Sequence, residues 1–177
     1  MLPSNELERR AATGVTASGR KLTGFIARFN SEARIGSFRE TIKPGAFRAS
    51  LASGRDILAL VDHDPKAVLG RTKSGTLELR EEADGLAFSL SLPDTQAGRD
   101  LIALAERGDL GGCSFGFTVP KDGDHWTGDH RELRSVELHE VSIVQSWPAY
   151  ANTEVSLRSR PASSQLAVLR YWLDTAR

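Results

Sequence analysis

The sequence predicts a protein that is mainly β with a few helices (α+β), built as a closed or nearly closed β-barrel of about seven short strands flanked by short helices. Two observations support this fold class. Short segments rich in β-branched and aromatic residues recur along the chain, and turn sequences such as residues 73–75 and 83–85 separate them. Few segments combine helical length with the apolar period of a helix.

The predicted elements follow one another closely. The expected strands lie at residues 21–30, 38–43, 56–61, 68–71, 76–80, 86–92, 109–119, 131–136 and 138–144. The three strands between residues 68 and 92 are expected to form an antiparallel meander. Pro44 opens a short helix that continues to Gly54, and Asp94 or Thr95 caps a second helix that ends at about Arg107.

The chain of 177 residues is long enough for one well-buried core, so we expect one domain with additional segments at its ends. We divide it into a flexible N-terminal arm at 1–20, a folded domain at 21–157, and a linker with an amphipathic C-terminal helix at 158–177. Leu169 and Trp172 lie on the apolar face of that helix. Such a face needs a surface to pack against.

Composition excludes several classes of protein. The 23 basic and 23 acidic residues balance, so the chain has no net positive charge that would favour binding to nucleic acid or to an anionic membrane. No apolar run approaches the roughly 20 residues of a membrane span. The single cysteine, Cys113, excludes an internal disulfide, and the N-terminal residues lack the apolar core of a secretory signal. We therefore expect a protein that is not exported and is compatible with a reducing compartment.

The predicted strand around Ser114 has one apolar face and one nearly bare face. Side chains alternate across a strand, so Cys113 and Phe115 share one face, whereas Gly112, Ser114 and Gly116 share the other. A hydroxyl flanked by glycines can be approached closely by another polypeptide backbone. Ser114 is therefore a candidate nucleophile, and an ordinary strand serine beside a bulge is the alternative.

His63 stands out by its position. It follows the apolar run at 57–61 and is flanked by Asp62 and Asp64. Partial burial and acidic neighbours can bring the pKa of an imidazole near neutral pH, where the ring can act as a base. The alternative is a histidine that only satisfies the polar groups at a strand end.

The strand at 138–144 offers two ionisable candidates. Alternation places Glu140 on the face of Leu138 and Ser142, and His139 on the opposite face. A carboxylate in an apolar strand is costly without a partner, and an imidazole N–H is a natural one. An ion pair with a nearby arginine such as Arg131 or Arg134 is the alternative.

Two competing chemistries are disfavoured. His125, His130 and His139 lie near several carboxylates, but the sequence has neither an HExxH helix nor a CxxC pair, so we predict no metal site and no cofactor. Cys113 shares the face of Phe115, which indicates a buried, inert thiol.

Five ordered stretches carry a family resemblance: residues 24–30, 40–47, 62–65 with 69–72, 111–117, and 138–144 with 148–150. Together they resemble the prohead (capsid maturation) protease family of tailed bacteriophages, which is related to the herpesvirus assemblins. The resemblance spans residues 22–157 and implies an assemblin-like barrel.

The resemblance implies a serine endopeptidase whose histidine falls on His63 and whose serine falls on Ser114. Assemblins use a second histidine as the third member, whereas the phage family uses an acid in the Glu-Val-Ser stretch. We therefore favour Glu140 over the adjacent His139, because its carboxylate can stabilise the imidazolium that forms when His63 takes the serine proton. Backbone amides or an arginine would hold the oxyanion.

The family role implies cleavage of the major capsid protein and scaffold segments inside the immature prohead, in the cytoplasm of the host, or in a bacterium that carries the gene in a prophage. It also implies self-cleavage and self-association, without nucleic acid, membrane or cofactor. Arg131 and Arg134 are candidates for the oxyanion role. The alternative function is a non-catalytic scaffolding or capsid-assembly protein on the same fold, which docks through its C-terminal helix.

Overall fold

The computed structural model describes residues 6–12 and 14–146, and these ranges contain thirteen strands and two helices. The strands are β1 Glu8–Ala12, β2 Thr16–Ser18, β3 Lys21–Arg28, β4 Glu32–Ile35, β5 Phe38–Ile42, β6 Leu58–Val61, β7 Asp64–Arg71, β8 Leu77–Glu82, β9 Gly85–Ser91, β10 Gly112–Thr118, β11 Asp124–Thr127, β12 His130–Leu133 and β13 Glu137–Val144. The helices are α1 Arg48–Ala52 and α2 Gln96–Arg107. The prediction of a mainly β protein with a few helices is confirmed.

The strands form three sheets. The first has five strands in the order β1-β10-β13-β6-β7, and the other two have four strands each, in the orders β11-β12-β5-β4 and β2-β3-β9-β8. We call the five-stranded sheet the central sheet, because Ser114 lies on β10, His139 and Glu140 lie on β13, and His63 follows β6 by two residues. Within it, β13 and β6 run parallel and the other neighbours run antiparallel.

None of these three sheets closes on itself within the described ranges, so the expected closed barrel is not confirmed. The thirteen strands also exceed the nine predicted segments and the roughly seven strands expected in the barrel. The difference arises because short strands such as β2, with three residues, and β4, with four, carry too few side chains to show an alternating pattern. Their positions depend on the partner strand that each of them pairs with.

The N-terminal residues are more ordered than expected. β1 pairs with β10 along its whole length, and β2 pairs with β3. In addition, the Arg10 guanidinium donates two hydrogen bonds, of 2.7 and 2.8 Å, to the buried carboxylate of Glu40. β1 and β2 thus lie within residues 1–20, where the sequence predicts an arm and no strand. The expected boundary at 157 and the C-terminal helix at 158–177 lie outside the described residues.

α2 forms where the capping signals place it. The Thr95 hydroxyl accepts a hydrogen bond from the Gly98 N–H, and Gly108 ends the helix in the left-handed region with φ of 76°. α1 is shorter than predicted, because residues 44–47 form turns. Neither described helix is long and apolar enough to cross a membrane.

The expected meander at 68–92 forms only in part. β8 and β9 pair as an antiparallel hairpin, whereas β7 pairs with β6 in the central sheet. A turn of only two residues, Asp62 and His63, connects β6 to β7. This hairpin brings β7 back beside β6, which leaves it in another sheet from β8.

The hydrophobic core lies against the aromatic face of β10. Phe115 and Phe117 are fully buried, and the Phe115 ring packs edge-on against Phe47 with centroids 5.6 Å apart. Cys113 belongs to the same core, and burial raises the pKa of its thiol to about 12. The predicted burial of Cys113 is confirmed, and Ser114 lies on the opposite face of the strand.

Candidate active site

Two neighbouring strands of the central sheet place Ser114 and Glu140 on the same face. In the antiparallel ladder of β10 and β13, Ser114 pairs with Ser142 and Gly116 pairs with Glu140. Directly opposed residues project to one face, so these four residues share the face that points away from the phenylalanine core. β6 runs parallel to β13 on its other side and ends one residue before Asp62, which delivers His63 to this edge.

His63 lies in a strained turn that β13 holds in place. Asp62 and His63 have φ angles of 45° and 62°, the pattern of a type I′ hairpin turn that usually contains glycine or asparagine. Asp62 N–H donates to the Ile143 carbonyl at 3.0 Å, and Gln145 N–H donates to the Asp62 carboxylate at 2.9 Å. His63 N–H donates to the Ser142 hydroxyl at 3.1 Å. Backbone strain of this kind concentrates at functional sites.

The His63 side chain contacts Glu140 directly. Its Nδ1 lies 2.6 Å from Oε1 of Glu140, and the two side chains are 18% and 10% exposed. An ionised carboxylate only accepts hydrogen bonds, so Nδ1 carries a proton, and in the neutral imidazole Nε2 then has its lone pair free. The Ser142 hydroxyl donates to the other carboxylate oxygen, Oε2, at 2.7 Å. The imidazole is therefore held in the tautomer that a general base requires.

Glu140 is ionised at neutral pH. Burial raises the pKa of its carboxyl, but hydrogen bonds from His63 and Ser142, the charge of His63 when it is protonated, and the charge of Arg9 outweigh burial and hold the pKa below its ordinary value. Arg9 donates from Nε to Oε1 of Glu140 at 3.5 Å. The arginine that contacts Glu140 is thus Arg9 of β1, whereas the expected partners Arg131 and Arg134 pair with other carboxylates.

Gly116 provides room for that carboxylate. A β-carbon at this position would lie 2.6 Å from Oε1 of Glu140, which is too close for any side chain. The Glu140 side chain therefore occupies the space over Gly116, on the nearly bare face of the strand that also carries Ser114. This differs from the expectation that the glycine leaves the face open to another polypeptide backbone.

Ser114 is 4% exposed and lies across from Ser142. Within residues 6–12 and 14–146, neither its hydroxyl nor Nε2 of His63 forms a side-chain hydrogen bond. The structure thus joins His63 to Glu140 directly and places Ser114 on the same face of the adjacent strand, without a bond between the serine and the histidine.

His139 belongs to a different cluster. Arg55 donates to its Nδ1 at 2.9 Å, so its Nε2–H donates to the Thr118 hydroxyl, also at 2.9 Å. Burial and the Arg55 charge lower the pKa of His139. Among the described residues it forms no hydrogen bond with His63, and this geometry favours Glu140 as the partner of that imidazole.

A β-bulge explains why strict alternation fails in β13. The pairing shifts between Gly116 and Phe117, so that Glu140 pairs with Gly116 but Leu138 pairs with Phe117, and His139 is the extra residue. Leu138 consequently belongs to the hydrophobic core. The expectation that Leu138 shares the face of Glu140 is wrong.

The two arginines suggested for the oxyanion role are engaged with carboxylates. Arg131 is buried and binds Glu8, Glu40 and Asp124. Arg134 binds Glu132 at 2.6 Å. These ion pairs argue against an oxyanion role for either side chain.

The histidines of the competing metal hypothesis are separate. Nε2 of His130 bonds to the Thr41 hydroxyl at 2.9 Å, and His125 lies on the exposed strand β11. In the part of the chain that the structure describes, no three His, Cys, Asp or Glu residues are grouped so that they could hold a metal ion.

The sequence did not identify three residues that contact Glu140 in this site: Arg9, Gly116 and Ser142. Of these, Gly116 provides the space that the carboxylate occupies. Ser142 has a weak signal, since it lies two residues after Glu140 on a strand and therefore on the same face. Arg9 has no local signal, because its partner is 131 residues away in the chain.

Comparisons with known proteins agree with this fold. A family model described as caudovirus prohead serine protease matches residues 5–166. No curated protein sequence matches the chain. Among solved structures, the bacteriophage T4 capsid assembly protease gp21 has a TM-score of 0.54 and 10% sequence identity, over 84% of this chain and 99% of that chain, and this likeness shows a common fold. Because the family model covers most of its length, the chain belongs to the caudovirus prohead serine protease family.

Proposed function

We propose that this protein is a serine endopeptidase in which Ser114 is the nucleophile, His63 the general base and Glu140 the residue that orients and stabilises His63. The observation that carries the proposal is the 2.6 Å hydrogen bond between Nδ1 of His63 and Glu140, on the same sheet face as Ser114. Membership of a serine protease family supports the same assignment.

In the proposed reaction, Nε2 of His63 takes the proton of the Ser114 hydroxyl while Oγ attacks the scissile carbonyl carbon. The imidazolium that forms is stabilised by the ionised Glu140, which accepts its Nδ1–H. The tetrahedral intermediate then collapses, and His63 gives its proton to the leaving amine. In the second half of the reaction, His63 takes a proton from water, which attacks the carbonyl carbon of the acyl-enzyme. His63 then returns the proton to Oγ as Ser114 leaves. General acid–base catalysis of this kind contributes a factor of about 10²–10⁴.

The mechanism requires Ser114 Oγ to come within hydrogen-bond reach of Nε2 in the substrate complex. Catalytic hydrogen bonds are often long in resting enzymes and shorten when substrate binds. Two contacts of Ser142 support this close approach of Ser114 and His63. Ser142 pairs with Ser114 across the strands, and its hydroxyl accepts the backbone N–H of His63. Only the strand that carries Ser142 therefore separates the serine from the histidine.

We infer the substrates from the family. A prohead protease acts during capsid assembly, and the T4 protein of the same fold is named a capsid assembly protease. We therefore propose that this chain cleaves the major capsid protein and scaffold segments inside the immature prohead within the host cell. Self-cleavage and self-association are part of this proposal.

The test is co-expression of the full chain with the major capsid protein of the same phage, followed by mass spectrometry of the products. A fluorophosphonate probe, which modifies activated serines, should label the protein at Ser114. Ser114→Ala and His63→Ala should abolish both cleavage and labelling. His125→Ala is a matched control, because His125 is exposed on β11.

Two outcomes would contradict the proposal. Cleavage at the normal rate by Ser114→Ala would exclude this serine as the nucleophile. Absence of both cleavage and labelling in the unsubstituted protein, together with stable binding to the capsid protein, would favour the non-catalytic scaffolding function.

A further inference from the structure

We propose that Ser142 is a positioning residue that sets the geometry of both His63 and Glu140. This inference rests on the function proposed above, since it concerns the residue that positions the proposed base, His63, relative to its partner Glu140. Ser142 lies in the centre of β13 and is fully buried.

One hydroxyl connects the two members. Ser142 Oγ accepts the backbone N–H of His63 at 3.1 Å and donates its own proton to Oε2 of Glu140 at 2.7 Å. The directions of both bonds are determined, because a backbone N–H only donates and an ionised carboxylate only accepts. The hydroxyl therefore uses its single proton for Glu140 and a lone pair for His63.

The bond to Glu140 separates the partners of the two carboxylate oxygens. Ser142 occupies Oε2, which leaves Oε1 for Nδ1 of His63 and for Nε of Arg9. Without the hydroxyl, the carboxylate keeps the contact at Oε1 but loses the one that sets its rotation about the last side-chain bond. The imidazole would then lose its defined orientation toward Ser114.

The bond to His63 stabilises an unfavourable backbone conformation. His63 has a φ of 62°, a region that a residue with a β-carbon rarely adopts unless its surroundings enforce it. The Ser142 hydroxyl supplies one of the contacts that hold the turn. Its removal leaves the His63 N–H without its side-chain acceptor.

The chain offers a matched control. Ser50 is also buried, and its hydroxyl also accepts a backbone N–H, from Leu138 at 2.8 Å. It lies in α1 and contacts neither His63 nor Glu140 through its hydroxyl. Replacing either serine by alanine removes one acceptor for a backbone N–H, but only the change at Ser142 removes a donor to Glu140.

The experiment compares Ser142→Ala, Ser142→Thr and Ser50→Ala in the full chain. It measures the rate of fluorophosphonate labelling, and kcat and KM with a peptide taken from a mapped cleavage site. Ser142→Ala should lower kcat and the labelling rate by about 10- to 100-fold, the loss expected for a hydrogen bond to a charged group, with KM within about twofold. Ser142→Thr, which keeps the hydroxyl, should recover most of the rate.

A second measurement covers the case in which a variant is poorly folded. The proton on Nδ1 of His63 should give a low-field NMR signal in the unsubstituted protein and in Ser50→Ala. In Ser142→Ala this signal should shift or broaden, while the melting temperature falls by no more than in Ser50→Ala.

Distinct results separate this inference from the proposed function. Labelling of Ser142→Ala at the normal rate, with Ser114→Ala unlabelled, would overturn the positioning role and leave the protease assignment intact. An equal loss of kcat in Ser50→Ala, or a folded Ser142→Thr as slow as Ser142→Ala, would also overturn it. Turnover by Ser114→Ala would instead overturn the proposed function.

Discussion

Arg9 in the N-terminal strand donates a hydrogen bond to Glu140 at 3.5 Å, although the two residues are 131 positions apart in the chain. The same carboxylate oxygen accepts the Nδ1–H of His63. β1 therefore contributes a positive charge to the candidate active site, on the face of the strand opposite to Arg10.

Replacing Arg9 by glutamine should reduce activity modestly and more strongly in acid. The lost charge lets the pKa of Glu140 rise, so a smaller fraction of Glu140 is ionised at about pH 5 than in the unsubstituted protein. Because Arg9 is 31% exposed and its charge is the smallest of the causes that lower this pKa, we expect a decrease in kcat/KM of less than about twofold at that pH, and a smaller one near pH 8. A pH profile of kcat/KM measures this. Arg80→Gln, at an exposed ion pair, should leave the profile unchanged, and an identical loss at all pH values would contradict the explanation.

Adding a methyl group at Gly116 should damage the site through Glu140. The new β-carbon would lie 2.6 Å from Oε1, so the carboxylate has to move away from His63. Gly116→Ala should lower kcat at least about tenfold and destabilise the protein by about 1–3 kcal/mol, the usual cost of overpacking.

A double-mutant cycle checks the cause of that destabilisation. In a Glu140→Ala background the clash is absent, so Gly116→Ala should then cost much less stability in chemical denaturation. Equal costs in both backgrounds would show that the glycine is needed for some other reason.

The stability that Glu140 contributes should depend on pH in a defined direction. Its pKa in the folded protein lies below the ordinary value of 4.5, so the unfolded chain binds the proton more readily. The contribution is fully present above pH 4.5 and is lost as the pH falls through the lower, folded-state pKa. The difference in free energy of unfolding between the unsubstituted protein and Glu140→Gln, measured by urea denaturation, should be constant near neutrality and shrink in acid. A difference that grows in acid would contradict the assignment.

Glu40 should be important for stability because it neutralises two buried arginines. It binds Arg10 at 2.7 Å and Arg131 at 3.2 Å, and all three side chains are less than one-tenth exposed. Glu40→Gln removes the most buried of their carboxylate partners and leaves only Glu8 and Asp124, so it should cost about 3 kcal/mol, the lower end for a broken buried pair, as measured by thermal or urea unfolding. Glu32→Gln is the control, since Glu32 pairs with Arg39 on the surface and should change stability by less than about 1 kcal/mol.

The features that the sequence determined by itself are those set by neighbouring residues. Thr95 and Gly108 mark the ends of α2, because a capping hydroxyl and a left-handed terminal residue act within one helical turn. The two faces of β10 follow from alternation, which places Phe115 in the core and Ser114 on the other side. His63 stood out for the same reason, since the buried strand that precedes it and the acidic residues beside it are local features.

The tertiary structure alone decided which strands meet and in what register. β1 pairs with β10 across about a hundred residues, and that pairing supplies Arg9 to Glu140. The bulge at His139 directs the Leu138 side chain toward the core. The type I′ turn places His63 within hydrogen-bond distance of Ser142 and Glu140. The physical reason is that alternation is a property of one backbone, whereas register, bulges and hydrogen-bond partners depend on a second strand whose identity no local pattern encodes.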